Sequence, residues 1–333
     1  MLLLSLCLFS FLLSFATVFL LKERFRTILL DIPNHRSSHT QPTPRGGGLG
    51  FIIAFFASGA IALILSLQRP NLLLDITPQQ WLSLGLSLTP LAIIGVLDDQ
   101  KGVKVSIRSL IHIMTATIAV LKFQPFPQPW LMTWGMGGEI IAFFLTVLGV
   151  TAFINFYNFM DGLDGLVAGV SIVQMSFFAL YCHEPFLWLF VAALLGFFVW
   201  NWSPAKIFMG DAGSTVVGGM SAIALLLPNL STVESWSALA VILPLVGDAI
   251  YTLIQRLRRG ENILQAHRSH LYQRLQQQGW SHSQVALTYM TLTLFSAISI
   301  SLWGLLGAGI TVLAVVGAIA IAEMQLPQKF PQP

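Results

Sequence analysis

Runs of about 18 to 22 mostly apolar residues recur along the whole chain, each long enough for a helix to cross the roughly 30 Å hydrocarbon core of a bilayer. Nothing in the sequence constrains the fold more. Lipid offers the backbone no hydrogen-bond partners, so only helices or closed barrels span it. Barrel strands would alternate over about ten residues, a pattern the sequence lacks. The runs fall at 1–21, 47–67, 80–97, 107–122, 138–155, 165–181, 186–201, 213–228, 236–254, 285–303 and 305–322. They predict an all-α polytopic membrane bundle of ten or eleven transmembrane helices, in a single domain over 1–333. The count turns on whether the short break at Gly304 divides the last run. Composition agrees: 55% of residues are hydrophobic and 9% charged, far from the balance of soluble domains.

No basic stretch precedes residues 1–21 and no A-x-A pattern follows them, whereas Lys22, Arg24 and Arg26 come directly after. A retained first helix with its amino end outside is expected. Alternation then places 22–46, 98–106, 156–164, 202–212 and 255–284 on the cytoplasmic side. These segments hold most of the Lys and Arg, and the opposite loops hold little beyond Arg69 and Lys122. Cys7 and Cys182 lie in or beside apolar runs, which argues against a disulfide framework or a cysteine metal site. The net charge of +3 follows from topology and gives no reason to expect a nucleic-acid partner.

The polar residues gather in those same five segments, so the topology puts them on one membrane face. In "DIPNHRSSHTQPTPRGGGLG", residues 31–50, Arg36, His39 and Arg45 precede three glycines at a helix start. Backbone N–H groups there could approach a phosphate. In "LDDQKGVKVSIR", the neighbouring carboxylates Asp98 and Asp99 need a cation or substrate protons, with Lys101, Lys104 and Arg108 close by. In "NFYNFMDGLDGL", Asn155, Asn158, Asp161 and Asp164 recur at i+3, so neighbouring members share a helix face. Oxygen donors with open positions suit Mg²⁺ completed by substrate phosphates. In "KIFMGDAGST", Asp211 sits between glycines as a helix cap or metal ligand, Ser214 follows, and Phe208 offers a flat surface for a base. Farther on, Arg256, Arg258 and Arg259 read as a positive-inside flank. The tighter cluster of His267, Arg268 and His270 combines rings that titrate near neutrality with a bidentate phosphate binder. Each segment alone also admits a plainer reading as turn, cap or charged flank. Together they describe a cleft fit for phosphoryl transfer.

In order and spacing, "PTPRGGG", "DD", "NFYNFMDGLDGL", "FMGDAGS" and "RSHLYQ" resemble the polyprenyl-phosphate N-acetylhexosamine-1-phosphate transferases, the MraY/WecA superfamily of glycosyltransferase family 4, over about residues 31–275. "RSSHTQPTPRGGG" and "HRSHLYQRL" look closest to the WbpL-like branch that initiates O-antigen and related glycans. The resemblance implies that undecaprenyl phosphate attacks the β-phosphorus of a UDP-N-acetylhexosamine and releases UMP. It implies Mg²⁺, with Mn²⁺ as a substitute, and a site facing the cytoplasm from the inner membrane. Undecaprenyl phosphate, the UDP-sugar and membrane lipid are the implied partners, with a homodimer among the assemblies it allows.

By motif, Asp211 resembles the principal metal ligand, joined by Asn158, and Phe208 the aromatic that stacks on uracil. Asp164 is similar to a nucleotide-contacting position. Asp98 matches the residue held to deprotonate or align the lipid phosphate, with Asp99 in support. Arg108 falls where a phosphate-binding lysine is common, and His270 matches the first histidine of an H-x-H-H pattern. Asp161 belongs with the catalytic acids on this reading, and Arg45, Asn155, His267 and Arg268 with substrate binding. Tyr272 and Gln273 replace the following two histidines of WecA-like members, and MraY's consecutive histidines are missing, which disfavours a MurNAc-pentapeptide donor. GlcNAc, FucNAc and QuiNAc stay open as the sugar. A secondary transporter would instead place its polar site near the bilayer midplane, and a membrane scaffold would have no use for the acids.

Overall fold

Each apolar run closes its backbone bonds internally, and helix ends fall where the sequence supplies caps. The computed structural model describes residues 1–33, 38–39, 41–68, 77–227, 229–262, 265 and 267–326; Arg36 and Arg69 lie outside these. Thr77 with Gln80, Ser231 with Glu234 and Ser281 with Gln284 form capping boxes that satisfy the first N–H groups of three helices.

The helices are α1 (Leu2–Phe25), α2 (Gly48–Gln68), α3 (Pro78–Lys101), α4 (Val105–Phe123), α5 (Pro129–Met132), α6 (Met136–Met160), α7 (Leu166–Tyr181), α8 (Leu187–Asn201), α9 (Gly210–Leu225), α10 (Thr232–Leu239), α11 (Leu243–Arg258), α12 (Leu271–Gln277), α13 (His282–Trp303) and α14 (Leu305–Gln325). A two-residue hairpin of β1 (Leu30–Asp31) and β2 (Thr43–Pro44) pairs Asp31 with Thr43. Every expected run lies on a helix. The ninth is split into α10 and α11 by a 3₁₀ turn at Ala240–Ile242. The last break is real, since Gly304 takes φ +54° between α13 and α14, which pack on each other. Some boundaries shift: α3 continues to Lys101, so Asp98 and Asp99 stand in its last turn, and α9 starts at Gly210, so Asp211 stands in its first.

Among the described residues, eight helical segments are long and apolar enough to cross a membrane. The protein is an integral, multi-pass membrane protein. Helices α7, α8 and α9 have only 16, 15 and 16 residues, about 24 Å at 1.5 Å per residue, and other helices sheathe them. In α9 every residue except Asp211 is buried.

The sequence of α9, "GDAGSTVVGGMSAIAL", explains why it is central. Small residues let neighbouring backbones come close. A Cβ on Gly48 of α2 would overlap Gly213, one on Gly95 of α3 would overlap Ala212, and one on Gly218 would come within 2.9 Å of Ile154 in α6. Three close approaches therefore converge on α9. They bring the carboxyl ends of α3 and α6 and the amino end of α2 around the amino end of α9, so the polar segments do share one end of the bundle.

Candidate active site

Asp211 is the hub of that end. Its backbone N–H donates to Asp99 Oδ1 at 3.1 Å, and its carboxylate accepts from Asn158 Nδ2 at 3.1 Å and from Arg108 Nη1 at 3.4 Å. Asn158 also donates to Ser214 Oγ at 3.0 Å. Asp98 is engaged on both oxygens, by the Val103 N–H at 2.6 Å and by Arg108. Arg45 is ion-paired with Asp31, which the hairpin brings beside it, and reaches Asp99 Oδ1 at 3.5 Å. Asp98, Asp99, Asp211, Asn158, Arg45 and Arg108, from four separate sequence segments, thus form one constellation.

A cavity of about 260 Å³ opens beside it, lined by Asp161, Asp164, Phe208 and Asp211, with Arg45, His39 and Gln273 also on its wall. The His39 ring meets Phe208 edge-on at 4.8 Å between centroids. Asp161 follows α6 and faces the cavity. Burial, reinforced by the charges of Asp211, Asp99 and Asp164 against an opposing Arg45, pushes its carboxyl up to about 8. Asp164 goes the other way: burial would raise it, but His282 and the Ala205 N–H hold its carboxyl below the ordinary value. His282 Nδ1 lies 3.2 Å from Asp164 Oδ2, and its Nε2 lies 3.2 Å from the Ser38 carbonyl.

The glycine run works differently from the sequence expectation. The N–H groups of Gly47 and Gly48 donate to the Phe208 and Met209 carbonyls, each at 2.9 Å. They are spent on packing and are not free for a phosphate. Lys101 and Lys104 stand exposed at the end of α3.

The remaining candidates do not line the cavity. Asn155 donates to Thr151 within its own helix at 2.7 Å. His270 is buried, with Nδ1 3.6 Å from Asp248 Oδ1. Arg268 reaches Ser38 Oγ at 3.3 Å. His267 packs on His270 and Ser269. Burial, with the charges of His270 and Arg256, takes His267 down to about 4, so this ring does not titrate near neutrality as expected. Arg256 is more than a charged flank: it is buried and binds Glu261 and the carbonyls of Asn262 and Gln265, which shapes the loop after α11. Asp31 and His282 escaped the sequence reading. Asp31 lay within a quoted segment with no partner in view, and His282, just after a capping serine, carried no signal.

Oxygen donors at this end fit a divalent cation. Four carboxylates, Asp98, Asp99, Asp161 and Asp211, face two guanidinium groups, those of Arg45 and Arg108. Asp99 Oδ2 is buried with no hydrogen-bond partner. Among the described residues no group of three His, Cys, Asp or Glu is arranged to hold a metal by itself. Mg²⁺ takes one or two carboxylates and completes its octahedron with water and phosphate.

Residues 81–229 match the model of glycosyl transferase family 4. The matched stretch carries Asp98, Asp99, Arg108, Asn158, Asp161, Asp164, Phe208 and Asp211, while Arg45 and the loop after α11 lie outside it. The chain is similar to a probable undecaprenyl-phosphate N-acetylglucosaminyl 1-phosphate transferase of Bacillus subtilis, 29% identical over 88% of this chain and 84% of the relative. The undecaprenyl-phosphate α-N-acetylglucosaminyl 1-phosphate transferase of Yersinia pestis is 28% identical over 91% and 84%. A phospho-N-acetylmuramoyl-pentapeptide-transferase of Levilactobacillus brevis is 29% identical over 77% and 83%.

Proposed function

We propose that the protein transfers an N-acetylhexosamine 1-phosphate from a UDP-sugar to undecaprenyl phosphate, releasing UMP. The observation that carries this reading is the carboxylate and arginine constellation around Asp211, set at the end of membrane helices beside the Phe208 cavity. A lipid phosphate can reach that level without leaving the membrane interface. The relatives' names give the same acceptor, undecaprenyl phosphate, and a transferred group of the same class, an N-acetylglucosaminyl 1-phosphate.

In the proposed step an oxygen of the lipid phosphate bonds to the β-phosphorus. The bond from that phosphorus to the α–β bridging oxygen breaks, and the electron pair leaves with UMP. The nucleophile is already an anion, so positioning and charge neutralisation dominate. Asp98 supports that view, because both its oxygens are occupied and its role is to aim Arg108 at the phosphate. Arg45, held by Asp31 and Asp99, supplies the second cation. Phe208 takes the uracil on its ring face. Asp211 and Asn158, with Asp99 and Asp161 nearby, are the residues that would hold Mg²⁺, which when bound neutralises charge on the diphosphate.

Arg24, Arg26, Arg258 and Arg259 lie at the same end of the bundle as the site, which supports a cytoplasmic orientation in the inner membrane. Initiation of O-antigen or a related envelope glycan, with a GlcNAc, FucNAc or QuiNAc donor, is the finer form of the proposal. The test is UMP release by purified protein with Mg²⁺, undecaprenyl phosphate and a panel of UDP-N-acetylhexosamines, beside Asp211→Asn. Mg²⁺-dependent release that the variant lacks is expected, and the best donor names the sugar. Folded protein that releases no UMP from any donor contradicts the reading.

A further inference from the structure

Tyr272 and Gln273 stand where WecA-like members carry histidines, and the step above uses neither. Gln273 faces the cavity. Tyr272 does not line the cavity and is 1% exposed. Its hydroxyl donates to the Phe159 carbonyl at 3.0 Å. That carbonyl is in the last turn of α6, where helix carbonyls have no partner within the helix, so the phenol completes the helix end. The same hydroxyl fills the space beneath Gly162: a Cβ there would overlap it, and the next ring atoms would lie at 3.1 and 3.2 Å. One side chain therefore touches the turn on both sides of Asp161.

Tyr272 is itself fixed from behind. Asp248 of α11 is 2% exposed and accepts from the N–H groups of Leu271 and Tyr272 at 2.8 and 3.0 Å. It also accepts from Thr252 Oγ1 at 3.1 Å and from the Tyr289 hydroxyl at 2.7 Å. A carboxylate on the amino end of α12 suits the orphan donors and partial positive charge there. A saturated buried network of this kind rigidifies what it touches. The first turn of α12 is thus clamped to α11 and α13, and it hands that rigidity through the phenol to the 159–162 backbone.

We infer that Tyr272 is a positioning residue for the proposed transfer: bonded to the Phe159 carbonyl and packed under Gly162, it fixes the Asp161 turn against the Asp211 side of the cavity. This rests on the transfer reading. Loss of the hydroxyl frees the turn on the nucleotide side of the cleft and leaves the Asp98 and Arg108 side untouched.

The experiment compares full-length wild type, Tyr272→Phe, Gly162→Ala and the double variant. Tyr272→Phe is expected to raise the half-saturating Mg²⁺ concentration and the donor KM about three- to tenfold, the range one neutral hydrogen bond sustains, with the undecaprenyl phosphate KM unchanged. Gly162→Ala is expected to be more damaged than the double variant, because removing the hydroxyl makes room for the new methyl group. Amide exchange of the 159–165 peptide should quicken in Tyr272→Phe, a readout that holds whether or not the wild type releases UMP. Wild-type inactivity alone contradicts the transfer reading; unchanged exchange, equal shifts in all three constants, or additive losses in the double variant overturn the inference.

Discussion

Asp99 and Asp248 are both carboxylates buried in the helical bundle, yet their surroundings differ. Asp248 accepts two backbone N–H groups and two hydroxyls and has His270 beside it. Asp99 accepts the Asp211 N–H and a long contact from Arg45 on one oxygen, and its other oxygen has no hydrogen-bond partner. Around Asp248 the protein supplies every partner itself. Around Asp99 and Asp211 carboxylates outnumber cations. A buried charge is tolerated only when paired or hydrogen-bonded, so the saturated centre reads as framework and the unsaturated one as a receptor for groups the chain does not carry.

The contrast is sharpest with Asp211→Asn. Turnover should fall by at least about 100-fold, the scale on which preorganised electrostatic partners act, while thermal stability holds or rises as like-charge repulsion is relieved. A variant that unfolds would show that Asp211 belongs to the framework after all. Asp248→Ala should do the reverse, with a stability loss first. Each orphaned buried donor costs about 1–3 kcal/mol, so denaturation should shift well below wild type. Equal stability would break the comparison.

Smaller effects refine it. Phe208→Ala should raise the donor KM by about 5- to 150-fold, from about 1–3 kcal/mol of base stacking, and leave the lipid KM unaltered. The pH dependence is the mildest expectation. With the Asp161 carboxyl near 8, its proton competes with a cation, so half-saturating Mg²⁺ should fall as pH rises from 6 to 8. The fall is at most about tenfold per pH unit for one displaced proton, and it levels off above 8. Asp161→Asn should flatten that profile.

Helix positions were legible in the sequence because span length follows from bilayer thickness, and Gly304 marked a true turn. The gathering of Asp98, Asp99, Asn158 and Asp211 was legible too, as polar residues at the ends of apolar runs. What the sequence could not show was use. Gly47 and Gly48 look like phosphate binders, but their N–H groups meet carbonyls of the 208–209 segment, a contact set by tertiary packing against α9. Arg256 looks like a topological charge but holds a loop. Asp248 reads as a polar interruption in an apolar run until α12 and Tyr289 are folded onto it. His282 has no nearby motif, and only the packing of α13 brings it to Asp164.

The most direct test of the account follows a label at the β-phosphorus of the UDP-sugar through one round of transfer to undecaprenyl phosphate. The account predicts that the labelled phosphorus appears in the lipid product with the sugar still attached, and that the released nucleotide is unlabelled UMP. Label recovered in released UDP would mean that the sugar moved without its phosphate, and would contradict the role assigned to the Asp211 centre.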